Sequence, residues 1–343
     1  MKPRHLGFLV LFLLSTVCAA SAFADPQAKT AAQQPAVSIR KITYHGWPDS
    51  LLMSNGVVEA VIVPAVGRVM QFRFAGEEGG AFWENRALDG KPADPASKEW
   101  INFGGDKSWP APQADWPKMT GREWPPPPAF DAMRVEARVE GNEVELISPV
   151  CKFFGIRVRR RIELAESKPL LTITTTYEKV EGQPVRVSVW VITQLNEPER
   201  VFVQPAAKSR YPEGYNKQSE SLPKDLKVER GLISLTRDAS KGTKIGSDGD
   251  RLVWVGSKYI LGVLSPREHG SPYPDQESSI EVWTNPDPLP YIELETLGPL
   301  ATMKVGDTID RTNFYVLRRR SEKQPEAEVK EAFEGVGIIE VPR

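Results

Sequence analysis

Two acidic residues at alternate positions are the first candidates for chemistry in this sequence. In Tyr291-Ile292-Glu293-Leu294-Glu295, a strand would place Tyr291, Glu293 and Glu295 on one face and the two aliphatic residues on the other. The two glutamates would lie about 7 Å apart at their Cα atoms, so inside a pocket their ionisations would couple and one pKa would rise. Such a group could act as a general base. The alternative is a pair of exposed acids on a solvated strand.

A second candidate lies in residues 100–131, which hold most of the compositional anomalies. Seven prolines fall between positions 110 and 128, and four of the nine tryptophans lie in this segment. Gly104-Gly105 lets a ligand approach the backbone closely. Aromatic rings beside charged and amide groups suit a sugar, whose C–H faces stack on rings while its hydroxyls need several hydrogen bonds. The predicted binding residues are Asp106, Lys107, Trp109 and Gln113; the alternative is a structural lid over a sheet edge.

The histidines and cysteines form no recognisable catalytic or metal-binding pattern. His45 and His269 have no partner at ligand spacing, and no GxSxG, HExxH, P-loop or GxGxxG motif occurs in a suitable context. Cys151 stands in an apolar run and is interpreted as a small buried hydrophobe. We therefore expect no metal, no cofactor and no serine, cysteine or zinc hydrolase chemistry.

The charge distribution gives no reason to expect a nucleic-acid partner. The chain has 44 Lys and Arg against 45 Asp and Glu, so its net charge is −1. The densest basic run is Arg157, Arg159, Arg160 and Arg161, and its spacing favours the solvated face of a strand over a phosphate-binding surface.

The elements that must position these residues are predominantly strands. Apolar residues alternate with polar ones from about Val37 to residue 318, and Gly141-Asn142 between two such runs predicts a hairpin with a two-residue turn. One short helix is possible after Pro325. The pattern predicts an all-β fold, a large antiparallel β-sandwich formed by one domain over residues 37–320, with a C-terminal tail over 321–343.

The N-terminus predicts export. Residues 1–24 have a basic start, a short apolar run and a small-x-small cleavage site at Ala22-Phe23-Ala24, and residues 25–36 resemble a flexible spacer. The apolar run is too short to span a bilayer, so we expect a periplasmic or secreted protein without a membrane anchor. Val17 precedes Cys18 where a lipid-attachment signal needs a small residue, which argues against a lipoprotein.

Several segments, in order along the chain, resemble a bacterial family of unknown function, number 4380. That family is itself similar to the galactose-mutarotase-like, or aldose 1-epimerase-like, superfamily. The resemblance covers roughly residues 40–318 and is carried by residues 67–72 (GRVMQF), 82–85 (FWEN), 102–107 (NFGGDK), 112–113 (PQ), 190–194 (WVITQ), 244–248 (KIGSD) and 291–299 (YIELETLGP). It implies a β-supersandwich with a carbohydrate site on a concave sheet face.

The resemblance also implies roles for particular residues. Mutarotases use a glutamate as base on the anomeric hydroxyl and a histidine as acid on the ring oxygen. Glu295 best matches that glutamate, with Glu293 as its stand-in, and Arg68 follows a turn glycine in a similar motif. The acid histidine is expected in residues 189–194, which contain none. The proton or hydrogen bond to the ring oxygen would then come from Lys107, His269 or Gln194.

These observations leave three functions open. The first is an epimerase or mutarotase with a carboxylate base, and the second is a non-catalytic protein that binds a sugar or glycan. The third is a structural or protein-partner-binding β-sandwich. Both carbohydrate hypotheses predict that Lys107, Gln113, Glu293 and Glu295 converge on one cleft, and we expect the protein to act as a monomer.

Overall fold

The alternating segments fold into strands that run through almost the whole described chain. A computed structural model describes residues 37–223, 225–321 and 323–337, so the predicted signal (1–24) and spacer (25–36) lie outside the described residues. The strands are β1 Ser38–Tyr44, β2 Trp47–Ser54, β3 Val58–Val63, β4 Arg68–Phe74, β5 Asp106–Ala111, β6 Glu136–Glu140, β7 Glu143–Ile147, β8 Ile156–Leu164, β9 Leu170–Lys179, β10 Val185–Asn196, β11 Arg200–Gln204, β12 Asn216–Lys217, β13 Lys227–Glu229, β14 Leu232–Leu235, β15 Thr243–Ser247, β16 Arg251–Val255, β17 Tyr259–Leu264, β18 Ile280–Thr284, β19 Tyr291–Leu297, β20 Ala301–Met303 and β21 Thr308–Arg319.

Helical structure is sparse and short. The α-helices are α1 Trp116–Thr120, α2 Pro128–Asp131, α3 Pro274–Glu277 and α4 Pro325–Gly337, and 3₁₀ turns occupy Arg86–Leu88 and Gln113–Asp115. Three residues of α3 have left-handed backbone angles. No helix among the described residues has the length and apolar character needed to cross a membrane.

The strands pair into two antiparallel sheets. The 11-stranded sheet has the order β1-β2-β3-β4-β5-β10-β19-β18-β15-β12, with β20 paired to β10 beside this path. The 10-stranded sheet has the order β13-β14-β11-β16-β17-β21-β9-β8-β7-β6. The predicted all-β sandwich is therefore confirmed. The hairpin β6–β7 turns at Gly141-Asn142 as predicted, and Gly141 has the positive φ of 60° that such a turn needs.

The core lies between the sheets because each strand turns its apolar residues inwards. Ile162 and Ile173 from the 10-stranded sheet and Ile292 and Leu294 from the 11-stranded sheet belong to one buried cluster. The same alternation divides the arginine run of β8. Arg159 on the outer face pairs with Glu145 and Glu178 in ion pairs, whereas Arg160 is buried. The predicted solvated face thus holds for the odd-numbered arginines and is wrong for Arg160, because neighbouring residues of a strand point to opposite sides.

Candidate functional site

The pairing of β5, β10 and β19 brings distant polar residues onto the outer face of the 11-stranded sheet. Ile192 of β10 lies opposite Lys107 of β5 on one side and Glu295 of β19 on the other. Gln194 lies opposite Glu293. Directly paired residues of antiparallel strands share a face, and the intervening Leu294 faces the core, so these four polar side chains point away from it. Glu281 of β18 joins them because it pairs with Glu295.

We call Lys107, Gln194, Lys244, Glu281, Glu293 and Glu295 the carboxylate cluster. Glu293 accepts a hydrogen bond of 2.8 Å from Gln194 Nε2 and forms an ion pair with Lys107 Nζ at 3.4 Å. Both contacts use Oε1, and Oε2 accepts no hydrogen bond from the part of the chain that the structure describes. The Glu293 side chain is 10% exposed while that of Lys107 is 1% exposed. Of the two carboxylate oxygens of Glu293, Oε2 is therefore the one that is available to a ligand.

Glu295 is more deeply buried than Glu293, with a side chain that is 1% exposed. Its Oε2 accepts hydrogen bonds from Trp190 Nε1 at 2.6 Å and from Lys244 Nζ at 2.9 Å. Lys244 also forms an ion pair of 2.6 Å with Glu281 and lies over the Trp190 ring at 4.6 Å. One ammonium group thus bridges two carboxylates that burial removes almost completely from solvent.

Burial and mutual charge shift the pKa values in this cluster. Burial lowers the pKa of Lys107, while the nearby Glu293 carboxylate partly opposes that change. Burial raises the pKa of Glu293, and the Glu295 charge adds to the rise while Lys107 opposes it. Burial, with a contribution from Glu295, likewise raises the pKa of Glu281 to about 8 despite Lys244. Lys244 is different, because Glu281 and Glu295 outweigh its burial and raise its pKa. The pKa values of Lys107 and Glu293 are therefore shifted towards each other, which favours proton transfer by these two groups.

A group of tryptophans packs beside the carboxylate cluster. Lys107 Nζ lies 4.9 Å from the Trp109 ring centroid and 5.5 Å from that of Trp100. The Trp124 ring contacts both of these rings edge to face, at 5.6 and 5.3 Å, and Trp124 is 42% exposed. The 100–131 segment therefore forms a packed wall next to the carboxylates, and Trp124 presents that wall to solvent.

Asp131 fixes the orientation of this wall. Its carboxylate accepts hydrogen bonds of 2.9 Å from the indole N–H groups of Trp100 and Trp109 and pairs with Arg68 at 2.7 Å. Arg68 Nη1 also donates to the Gly104 carbonyl. Arg68 was predicted to bind a ligand, but it is 1% exposed. It supports the tryptophan wall through its ion pair with Asp131.

Of the four residues expected to converge, Lys107, Glu293 and Glu295 lie on one face of the sheet, and Gln113 does not. Gln194, another predicted binding residue, shares that face; it and Lys107 contact Glu293 directly, while Glu295 contacts Trp190 and Lys244. Trp109 borders them, although its ring is 3% exposed and therefore offers little surface to a ligand.

The prediction that Asp106 binds a ligand beside Lys107 does not match its position. Adjacent residues of a strand face opposite ways, so Asp106 points between the sheets. It is fully buried, pairs with Arg160 and accepts hydrogen bonds of 2.6 Å from Thr193 Oγ1 and 2.7 Å from Tyr315 Oη. Its carboxylate links the two sheets.

Gln113 and His269 lie outside the carboxylate cluster. Gln113 is exposed in the 3₁₀ turn after β5 and takes no hydrogen bond through its side chain from the described residues. His269 is exposed on the loop after β17, where it lines a surface cleft of about 800 Å³ with Lys208, Arg210 and Asp248. Because no member of the carboxylate cluster lines that cleft, His269 is not placed to act with Glu293.

Sequence reasoning missed Lys244, Glu281 and Asp131 as site residues. Lys244 and Glu281 reach the cluster only through the pairing of β15, β18 and β19. An acidic residue inside the apolar run Ile280–Thr284 was a signal for Glu281.

The expected acid histidine is absent from the cluster. In residues 189–194 the side chains on the cluster face are Trp190, Ile192 and Gln194. The described residues contain no group of three or more His, Cys, Asp or Glu side chains arranged to hold a metal ion.

A family model matches residues 49–259, well over half of the sequence, and its description is domain of unknown function DUF4380. The chain belongs to the DUF4380 family. This match confirms the family that the motifs indicated, and it includes Lys107, Gln194 and Lys244 of the cluster. A comparison with curated proteins gives no match.

Solved structures with similar folds relate this DUF4380 chain to galactose mutarotase-like proteins. It matches a galactose mutarotase-like protein from Clostridium acetobutylicum with a TM-score of 0.51 at 10% identity, covering 83% of this chain and 99% of that one. A galactose mutarotase related enzyme from Lactobacillus acidophilus gives 0.50 at 11% identity, covering 80% and 98%. A TPR-domain containing protein from Parabacteroides distasonis gives 0.56 at 13% identity, covering 85% of this chain but only 49% of that one. At these identities the likeness establishes a shared fold, the mutarotase-like β-sandwich.

Proposed function

We propose that this DUF4380 protein binds a carbohydrate at the carboxylate cluster, on the outer face of its 11-stranded sheet. The observation that carries the proposal is the convergence of Lys107, Gln194, Glu293 and Glu295 on that face, beside an aromatic wall. Carboxylate, amide and ammonium groups provide the donors and acceptors that sugar hydroxyls need. The mutarotase-like fold supports a carbohydrate-related scaffold.

Trp124 is the ring best placed to stack on a bound sugar. It is the member of the tryptophan wall with the largest exposed surface, and it contacts the two rings that cover Lys107. A sugar over Glu293 could therefore reach the free Oε2 with a hydroxyl and the indole with its apolar face. Glu293 and Lys244, whose side chains are 10% and 16% exposed, are the polar groups through which the cluster reaches solvent.

The binding proposal is tested by saturation-transfer NMR and calorimetry with a panel of aldoses and short glycans. We expect Trp124→Ala to weaken binding about tenfold, which corresponds to roughly 1.4 kcal/mol, and Trp124→Phe to weaken it less because an aromatic face remains. A melting curve for each variant separates a lost contact from a lost fold. If no sugar in the panel binds the folded wild type, the proposal fails and a structural or partner-binding sandwich takes its place.

The Lys107–Glu293 pair favours a second candidate function on the same site, the interconversion of sugar anomers. Burial lowers the pKa of Lys107 and raises that of Glu293, and the two groups lie 3.4 Å apart. Glu293, with its freer carboxylate, replaces Glu295 as the preferred base, and Lys107 replaces the histidine that this strand lacks.

In this reaction Glu293 takes the proton of the anomeric hydroxyl while the C1–O5 bond breaks. The electron pair of the O–H bond completes the C1 carbonyl, and O5 takes a proton from the Lys107 ammonium. After rotation about C1–C2, O5 returns that proton to Lys107 as it attacks C1, and the acid form of Glu293 protonates O1. The ring is closed with the opposite anomeric configuration, and both protein groups are restored.

Anomer exchange is measured by NMR exchange spectroscopy on a sugar that binds. We expect Glu293→Gln and Lys107→Met each to lower the catalysed rate by about 10²–10⁴-fold. Glu145→Gln, on the outer face of the other sheet, is the matched control and should leave the rate unchanged. Exchange no faster than in buffer, with binding intact, would reduce the function to binding alone.

A further inference from the structure

Three consecutive residues beside the carboxylate cluster have left-handed backbone conformations although none is glycine. The φ angles are 49° at Asp275, 62° at Gln276 and 76° at Glu277. Left-handed angles are unfavourable for residues with a Cβ atom, and a run of three is sustained only where the surroundings impose it. Glycine would adopt this turn with less strain, so the turn retains side chains at a conformational cost.

The contacts that hold this turn leave the Asp275 carboxylate without a hydrogen bond from the described residues. Tyr211 Oη donates to the Gln276 carbonyl at 2.7 Å, Gln218 Nε2 donates to the Asp275 carbonyl at 3.1 Å, and Arg210 pairs with Glu277 at 3.0 Å. The Asp275 carboxylate accepts no hydrogen bond from the described residues, and Asp275 is partly exposed. The Asp275 backbone is therefore held by hydrogen bonds, whereas its carboxylate remains available to a ligand.

The turn lies on the cluster side of the sheet. Gly246 pairs with Glu281, so a Cβ atom at Gly246 would point to the same face, and there it would lie 2.2 Å from Gln218 Nε2 and from Ser278 Oγ. Those two groups bond to each other and to the Asp275 carbonyl. The missing side chain thus lets the turn approach Glu281. The Asp275 charge contributes to raising the pKa of both Lys244 and Glu281.

With Asp275, the site contains four carboxyl groups and two ammonium groups that act on one another electrostatically: Asp275, Glu281, Glu293 and Glu295 with Lys107 and Lys244. Two buried acceptors in the cluster, Gln194 Oε1 and Glu281 Oε1, have no hydrogen-bond partner among the described residues. Gln194 is fully buried, and its other amide atom donates to Glu293, so Oε1 belongs to the site. Since Glu281 holds a proton below about pH 8, three carboxylates remain against two ammonium groups. The cluster therefore offers one unmatched negative charge besides the unpaired Gln194 oxygen, which a ligand rich in donors and carrying one positive charge would satisfy.

We propose that Asp275 is a specificity-determining residue and that the sugar this site prefers is a cationic amino sugar. Its ammonium group, with three donors and no acceptor, meets the partly exposed Asp275 carboxylate beside the cluster. The same charge disfavours uronic acids and phosphorylated sugars, because a second anion would lie against the Asp275 carboxylate, which forms no ion pair with the described residues. This inference rests on the proposed carbohydrate site and names the substrate class of that site.

The test is calorimetric titration, at pH 6.5 and low salt, of the full-length protein with glucosamine, N-acetylglucosamine, glucose and glucuronate. N-acetylglucosamine is the neutral counterpart of glucosamine, so the pair isolates the charge. We expect glucosamine to bind about tenfold more tightly than the two neutral sugars, and glucuronate to bind most weakly. Asp275→Asn keeps a residue that tolerates left-handed angles and removes the charge, so it should abolish the preference for glucosamine over N-acetylglucosamine.

Gln276→Gly is the matched control for the turn. Its side chain is exposed and its φ of 62° suits glycine, so we expect a higher melting temperature with sugar preferences unchanged. Equal affinity for charged and neutral sugars, or an unaltered preference in Asp275→Asn, would overturn the role of Asp275 while leaving carbohydrate binding intact. Preference for glucuronate would overturn the amino-sugar assignment, and no binding by any sugar would remove the proposed function together with this inference.

Discussion

At the scale of single residues, the two glutamates at alternate positions of β19 differ in how far solvent can reach them. Each receives two donors on one oxygen, Lys244 and Trp190 for Glu295 and Lys107 and Gln194 for Glu293. The Glu295 side chain is only 1% exposed, however, whereas that of Glu293 is 10% exposed. A carboxylate that is closed off from solvent acts on its neighbours through its charge, whereas proton transfer needs a carboxylate that a substrate hydroxyl can reach. This difference argues that Glu295 sets the electrostatics of the site and that Glu293 performs any proton transfer.

Glu281 makes the stability of the fold depend on pH. Its pKa is raised from an ordinary value of 4.5 to about 8, so the folded chain holds a proton there that the unfolded chain releases. Stability from this group is full below about pH 4.5 and falls as the pH rises to about 8, by up to about 1.4 kcal/mol per pH unit. We expect Glu281→Gln to lose less stability than wild type across this window, measured by urea denaturation at several pH values.

The comparison has an internal control. Below pH 4.5 and above pH 8, Glu281 has the same protonation state in the folded and unfolded chains, so the difference between the two proteins should become constant. Glu293 and Asp275 shift in the same direction but are present in both proteins and cancel. Parallel stability curves across the whole range would show that Glu281 is ionised in the folded protein.

At the scale of elements, alternation along single strands was predictable and pairing between strands was not. The face shared by Glu293 and Glu295 followed from their spacing of two. Asp106 was misplaced because the GGDK motif was interpreted as one ligand-binding unit, although neighbours on a strand must diverge. Lys244 meets Glu295 across 51 positions of sequence, and β15 and β19 are brought together only by their common partner β18. That information lies in the whole sheet and not in any local pattern.

Asp106 and Arg160 connect the two layers of the sandwich. Removing one member of a buried ion pair leaves the other charge without compensation, at a cost of about 3–5 kcal/mol. We therefore expect Asp106→Asn to lower the free energy of unfolding by about that amount in urea denaturation. The double variant Asp106→Leu with Arg160→Met should recover part of the loss, because no charge remains between the sheets. A single variant as stable as wild type would mean that Arg160 is compensated by another group.

At the scale of the whole molecule, the thiols report whether the chain is processed as its N-terminus predicts. We propose that the protein is exported and cleaved after Ala24, which removes Cys18 and leaves Cys151. Cys151 is 2% exposed, and burial raises its pKa, so the native protein should react very slowly with a thiol reagent. In denaturant, protein from the periplasmic fraction should titrate with one thiol and begin at Asp25 by mass spectrometry. Two thiols in that fraction would show that the leader is retained, and recovery of the chain only in the cytoplasm would contradict export itself. The distinction matters for the proposed function, because an exported protein would present the proposed carbohydrate site to sugars outside the cytoplasm, and the proposed role of Asp275 favours sugars without a phosphate group.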